Sequence, residues 1–116
     1  MVYATGTLLN ESRAQSFERE KLEGVILYKI MQLTQWTNEK NIDQFNIGIY
    51  RSNLNLKFFR QLLKDKKIRG KNLNISDFNP YKITHKIHVL FITKGNTHKL
   101  KEINQLLKGQ NVLIIS

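Results

Sequence analysis

The chain contains no cysteine, which removes a disulfide framework, a thiolate zinc site and a cysteine nucleophile together and leaves the redox compartment unmarked. It has a single proline, Pro80, set in Asp77-Phe78-Asn79-Pro80-Tyr81, where it marks a turn or a short irregular crossover. No apolar run approaches the roughly 20 residues of a membrane-spanning helix, and Met1 to Thr5 has neither the basic start nor the apolar core of a signal peptide. The sequence also lacks a G-x-S-x-G elbow, a G-x-x-x-x-G-K-[ST] loop and a G-x-G-x-x-G turn, so three common routes to acyl transfer, nucleotide hydrolysis and dinucleotide binding are closed.

Acids are scarce. Nine Asp and Glu stand against nineteen Lys and Arg, for a net charge of +10. Asp43, Asp65 and Asp77 are scattered, which supplies neither the acid–base pair of a hydrolase nor the strand-end carboxylates of a phosphoryl-accepting receiver. His85 and His88 lie three apart at a strand entrance with no carboxylate near them in sequence, a poor metal pattern, and no cofactor is implied. The positive excess is uneven: residues 1–44 carry five cations against six anions, and residues 45–116 carry fourteen against three. Its densest part is Lys57, Arg60, Lys64, Lys66, Lys67, Arg69 and Lys71. Such a cluster could track phosphates or an anionic membrane surface, but no aromatic residues interleave with it as stacking platforms. A solvated helix face followed by a charged turn is the preferred reading, and nucleic acid is not expected as a partner.

What is present is a strong α/β pattern. Lys86 to Thr93 is apolar at nearly every position, as a strand covered on both faces must be, and reads as the centre of a parallel sheet. A turn at Lys94-Gly95-Asn96, a cap at Thr97, apolar residues Leu100, Ile103, Leu106 and Leu107 at helical spacing, a stop at Gly109 and a strand from Asn111 to Ile115 complete a βαβ unit. Upstream, residues 1–11 show no period and form a lead-in to one domain over residues 12–116. Ser12 with Gln15 offers a capping box for a helix reaching about Gln35. On that helix Leu22, Val25, Ile26, Ile30, Leu33 and Trp36 share one face, while Leu27 and Met31 fall outside it. Phe45 to Tyr50 is the first strand, Asn53 caps a helix with Leu56, Phe59 and Leu63 inside, and Gly70 turns into a shorter strand from Asn72 to Ser76.

The order predicts a three-layer, mostly parallel, flavodoxin-like sheet of about four strands in the order 2-1-3-4, led by a long N-terminal helix. In such a sheet ligands bind beyond the carboxyl ends of the strands at the switch point, here between Arg51-Ser52-Asn53 and the loop holding Lys94, Asn96 and Thr97. Free N–H groups of two helix starts and two cations favour an anion there. The apolar last strand, unblunted by charge or proline, and the uncovered Leu27 and Met31 together predict a homo-oligomer.

Five stretches then resemble a known family. They are Val25-Ile-Leu-Tyr28-Lys-Ile-Met-Gln-Leu33-Thr-Gln-Trp36, Phe45-Asn-Ile47-Gly-Ile49-Tyr50, Lys66-Lys-Ile68-Arg-Gly70-Lys71, His88-Val-Leu-Phe-Ile92 and Leu106-Leu-Lys-Gly109-Gln-Asn-Val112-Leu-Ile-Ile-Ser116. Together they resemble the YfiR-like family of bacterial periplasmic proteins. The resemblance implies a non-enzymatic extracytoplasmic regulatory or sensory domain acting on a membrane signalling protein of the diguanylate cyclase or histidine kinase type. The alternative from composition is a basic nucleic-acid or anionic-surface binder. Thr37 stands where the family has proline, Arg51-Ser52-Asn53 where its loop is often acidic, and no cysteine is present where members commonly have them. Family members continue past the closing Ile-Ser, so a missing C-terminal part is expected.

Overall fold

The computed structural model describes the backbone of residues 2–116 and the side chains of residues 18–116. Helix α1 (Val2–Leu33) leads through a short 3-10 turn (Glu39–Asn41) to strand β1 (Gln44–Tyr50). Then follow α2 (Asn53–Leu62), β2 (Lys67–Ile68), β3 (Lys71–Phe78), β4 (Val89–Ile92), a 3-10 segment (Lys94–Lys99), α3 (Leu100–Leu106) and β5 (Leu113–Ile115). Helix α1 begins well before Ser12; the capping box expected of Ser12 and Gln15 lies outside the described side chains.

The sheet runs β2-β3-β1-β4-β5. Its four longer strands are parallel, with β1 between β3 and β4 and with β5 outside β4. It is nevertheless a five-stranded mixed sheet rather than a four-stranded parallel one. The addition is β2, antiparallel to β3 through the pairs Lys67–Asn72 and Ile68–Lys71. Arg69 and Gly70 between them both have positive φ, 47° and 81°, the left-handed pair that a two-residue hairpin turn requires. Arginine is an unusual occupant of that conformation. Its guanidinium holds it there: Nε and Nη2 donate to the two Glu39 carboxylate oxygens at 2.5 and 2.7 Å, while Nη1 and Nη2 reach the Gln32 and Thr34 carbonyls. The hairpin tip thereby satisfies carbonyls at the end of α1, which would otherwise lack partners. Glu39 is held below the usual carboxylate range chiefly by that bond to Arg69.

The chain steps from β1 to β3 in one direction across the sheet and from β4 to β5 in the other. Right-handed crossovers in opposite directions put their helices on opposite faces. Two cores result. Leu27, Met31, Trp36, Phe45, Ile47, Ile49, Phe59, Leu63, Ile68, Ile75, Val89 and Phe91 pack under α1 and α2. Tyr50, Phe78, Ile87, Leu90, Ile92, Ile103 and Leu107 pack under α3. Successive residues of β4 alternate between the two, which is why that run is apolar throughout.

The face of α1 is the opposite of the one expected. Leu27 and Met31 are fully buried, while Leu22, Val25, Ile26 and Leu33 are exposed. The cause is Gly24, whose missing side chain lets α1 approach α2: a Cβ there would lie 2.6 Å from Leu62 Cδ2 and 3.1 Å from the Phe59 ring. Glu20, Gly24, Leu27 and Met31 consequently form the inward stripe, at helical spacing. The premise that Leu27 and Met31 are uncovered fails; the uncovered apolar residues on α1 are Leu22, Val25, Ile26 and Leu33. Strand β5 does lie at the sheet edge.

Candidate functional site

β1 and β4 are neighbours whose last residues, Tyr50 and Ile92, pair with each other. Their outgoing loops then part to the two faces, so the switch point lies beyond these two carboxyl ends. Asn96 joins the loops: its Nδ2 donates to Thr93 Oγ1 at 2.8 Å and reaches the Arg51 carbonyl at 3.4 Å.

Two expected caps are placed differently. Ser52, not Asn53, caps α2; its Oγ accepts from the Asn55 N–H and donates to Asn55 Oδ1 at 2.6 Å. Serine in extended backbone one residue ahead of the helix can do this, whereas Asn53 already belongs to the first turn and is exposed. Thr97 does not cap α3. It lies inside the 3-10 segment with its Oγ1 on the Lys94 carbonyl, and α3 starts only at Leu100, with no side-chain cap. The start of α3 is therefore too short and too far along the chain to aim its N–H groups at the switch point.

Arg51 has φ 48° and lays its guanidinium over the Tyr50 ring, 5.5 Å from the centroid. Lys94 and Thr97 line a cavity of about 650 Å³ that also includes Arg19, Glu20 and Glu23 of α1, together with Asn55. The two carboxylates change the electrostatics of this end, which from its loops alone is purely cationic. Burial pushes the Glu23 carboxyl above its ordinary range, and the neighbouring Glu20 pushes the same way, while the Asn55 amide and Arg19 oppose them. Asn55 is buried, and its Nδ2 has no partner at hydrogen-bond distance even though its amide lies close enough to Glu23 to moderate that rise. The spacing Glu20-x-x-Glu23 was the available sequence signal. It points at this cavity only once Gly24 turns that side of α1 inward.

A pH dependence follows from Glu23. A carboxyl raised in the folded state binds its proton more tightly folded than unfolded, so its ionised form costs stability at pH 7 and that cost disappears as pH falls through the folded value. Glu23→Gln keeps the shape and the amide contact, and is expected to raise Tm at pH 7 but to lose that advantage near pH 4. Thermal melts at the two pH values read the difference; an equal shift at both would assign the effect to packing.

The charge cluster after α2 is partly committed to the fold. Arg60 Nε donates to the Ile75 carbonyl at 3.0 Å and Arg69 serves the hairpin clamp, so two cations of the seven are spent internally. Among the described residues no group of three His, Asp or Glu could hold a metal ion, and no helix is long and apolar enough to cross a membrane.

A doubly wound α/β domain with a mixed-charge cavity at its switch point belongs to a class that binds at strand ends and hosts many unrelated functions. The family is more specific: residues 20–116 match the family model described as YfiR/HmsC-like, and the chain belongs to that family. It is a family of periplasmic regulators rather than enzymes. No curated protein and no solved structure matches the chain significantly.

Proposed function

We propose that this chain is a non-enzymatic, extracytoplasmic regulatory domain that acts on a membrane signalling protein of the diguanylate cyclase or histidine kinase type. The match to a regulator family across residues 20–116 carries this reading. Regulation of this kind needs no chemistry of its own; it needs only a contact that differs in strength between two states of the partner. The commitment of Arg60 and Arg69 to carbonyls and Glu39 supports it over a phosphate-tracking role for the basic cluster, since those two cations are not available as a free row. At the switch point we assign Arg51, Ser52, Asn53, Lys94, Asn96 and Thr97 to contact with an acidic group of the ligand or partner, with Arg19 assisting from α1.

The test in cells is deletion of the coding region, with complementation by a secreted form and by a form retained in the cytoplasm. The expected result is a severalfold change in cyclic di-GMP or in the output of one sensor kinase, reversed by the secreted form alone. Equal rescue by the retained form would overturn the extracytoplasmic assignment, and no change in either output would overturn the regulatory one.

A further inference from the structure

At the opposite end of the sheet from the switch point, the amino ends of β1, β3, β4 and β5 surround a second cavity, of about 600 Å³. Five of the chain's twelve asparagines line it, namely Asn38, Asn41, Asn46, Asn72 and Asn111. Only Asn46 spends its amide internally, on Lys86, Gln44 and Asn74. The other four side chains are exposed and make no hydrogen bond among the described residues. Each carboxamide offers two donor hydrogens and an acceptor oxygen.

Beneath them lies His88, which is 5% exposed. Its Nδ1 accepts the Asn46 N–H at 2.9 Å. A backbone N–H can only donate, so the neutral ring carries its proton on Nε2. That Nε2–H has no partner among the described residues and is not shut off from solvent, and His88 lines the cavity. Burial, and secondarily Lys86, lowers the His88 pKa, which keeps the ring in this neutral form at pH 7. The one tryptophan, Trp36, forms part of the same wall, fixed by its Nε1 donating to the His88 carbonyl at 3.2 Å.

Charge selects the ligand class. The cavity's two fully charged side chains, Asp43 and Lys86, are of opposite sign, so neither an anion nor a cation is favoured overall. A polar lining of neutral amides suits a ligand that alternates donors and acceptors, as vicinal hydroxyls do. Trp36 and Ile42 supply apolar surface for a ring's C–H face. From the unpaired Nε2–H of the buried His88, set among uncommitted amides and beside Trp36, we infer that this cavity binds a neutral saccharide. Its volume falls within the range of small-molecule sites and admits a short oligosaccharide.

The experiment titrates chitotriose, cellotriose and maltotriose at pH 7 into the full chain, following Trp36 emission and, in parallel, heat by calorimetry. At least one sugar is expected to bind saturably with Kd about 1 mM or tighter. The Asn41→Ala, Asn111→Ala double variant, altered at two exposed side chains and checked for an unchanged melt, should bind that sugar about tenfold or more weakly. No saturable signal by either method up to about 50 mM would overturn the inference. So would undiminished binding by the double variant, or binding of glucose 6-phosphate without binding of any neutral sugar.

Discussion

Leu27→Ala is expected to lower the stability of the domain by about 2–5 kcal/mol, and Met31→Ala by a similar amount, because each removes methylenes from a fully buried site and leaves a cavity. For a chain of 116 residues that corresponds to a fall in Tm of roughly 10–20 °C. Leu33→Ala and Leu22→Ala should stay within about 0.5 kcal/mol of the parent, since these side chains are 88% and 58% exposed. The contrast matters because all four residues are apolar and lie on one helix. Urea unfolding of the four variants decides which face of α1 meets the sheet. A large loss at Leu22 and Leu33 with little at Leu27 would reverse α1, and would take Glu20 and Glu23 away from the switch-point cavity.

Gly48→Ala carries the second large effect, and with an unusual sign. Replacing glycine in a strand ordinarily gains stability, because glycine gives up more chain entropy on folding and packs nothing. Gly48 sits in β1, the middle strand, and a Cβ there would fall 2.9 Å from Phe78 Cβ and 3.4 Å from its ring. The Phe78 Cβ cannot retreat by a rotamer change, since it is fixed to the backbone of β3, and β1 and β3 are paired in register through Tyr50 and Phe78. Gly48→Ala should therefore cost about 1–3 kcal/mol, and Gly48→Val more, enough to broaden or abolish a cooperative melt. A Gly48→Ala protein as stable as the parent would show that β1 and β3 are further apart than described.

β4 and α1 show where sequence reasoning reached and where it stopped. β4 is legible because a strand with a helix layer on each side must be apolar at every position, and Val89 to Ile92 is. From it the βαβ unit and the succession of strands follow. The face of α1 is not legible by the same means. Apolar residues encircle most of the helix between Leu22 and Met31, so periodicity gives no direction, and the deciding feature is an absence of side chain at Gly24. β2 has two residues and no period at all; its signal was Gly70, read as a turn into the following strand with no strand before it. At the switch point the loops were placed correctly by topology. Glu20, Glu23 and Asn55 were missed because they depend on how α1 docks, and the caps were misassigned by one residue at Ser52 and by a 3-10 segment ahead of α3. The amide-lined cavity gathers residues from four separate strand entrances and has no sequence signature.

The most direct measurement is the catalytic rate of the membrane signalling enzyme itself. The candidate is a full-length diguanylate cyclase or histidine kinase from the same organism, held in nanodiscs, with the purified chain titrated against it. The account predicts a saturable, severalfold change in that enzyme's rate, while the chain alone turns over no phosphoester, ester or glycoside substrate above blank. A robust turnover by the chain alone, lost on changing one of its residues, together with no effect on any such enzyme, would contradict it.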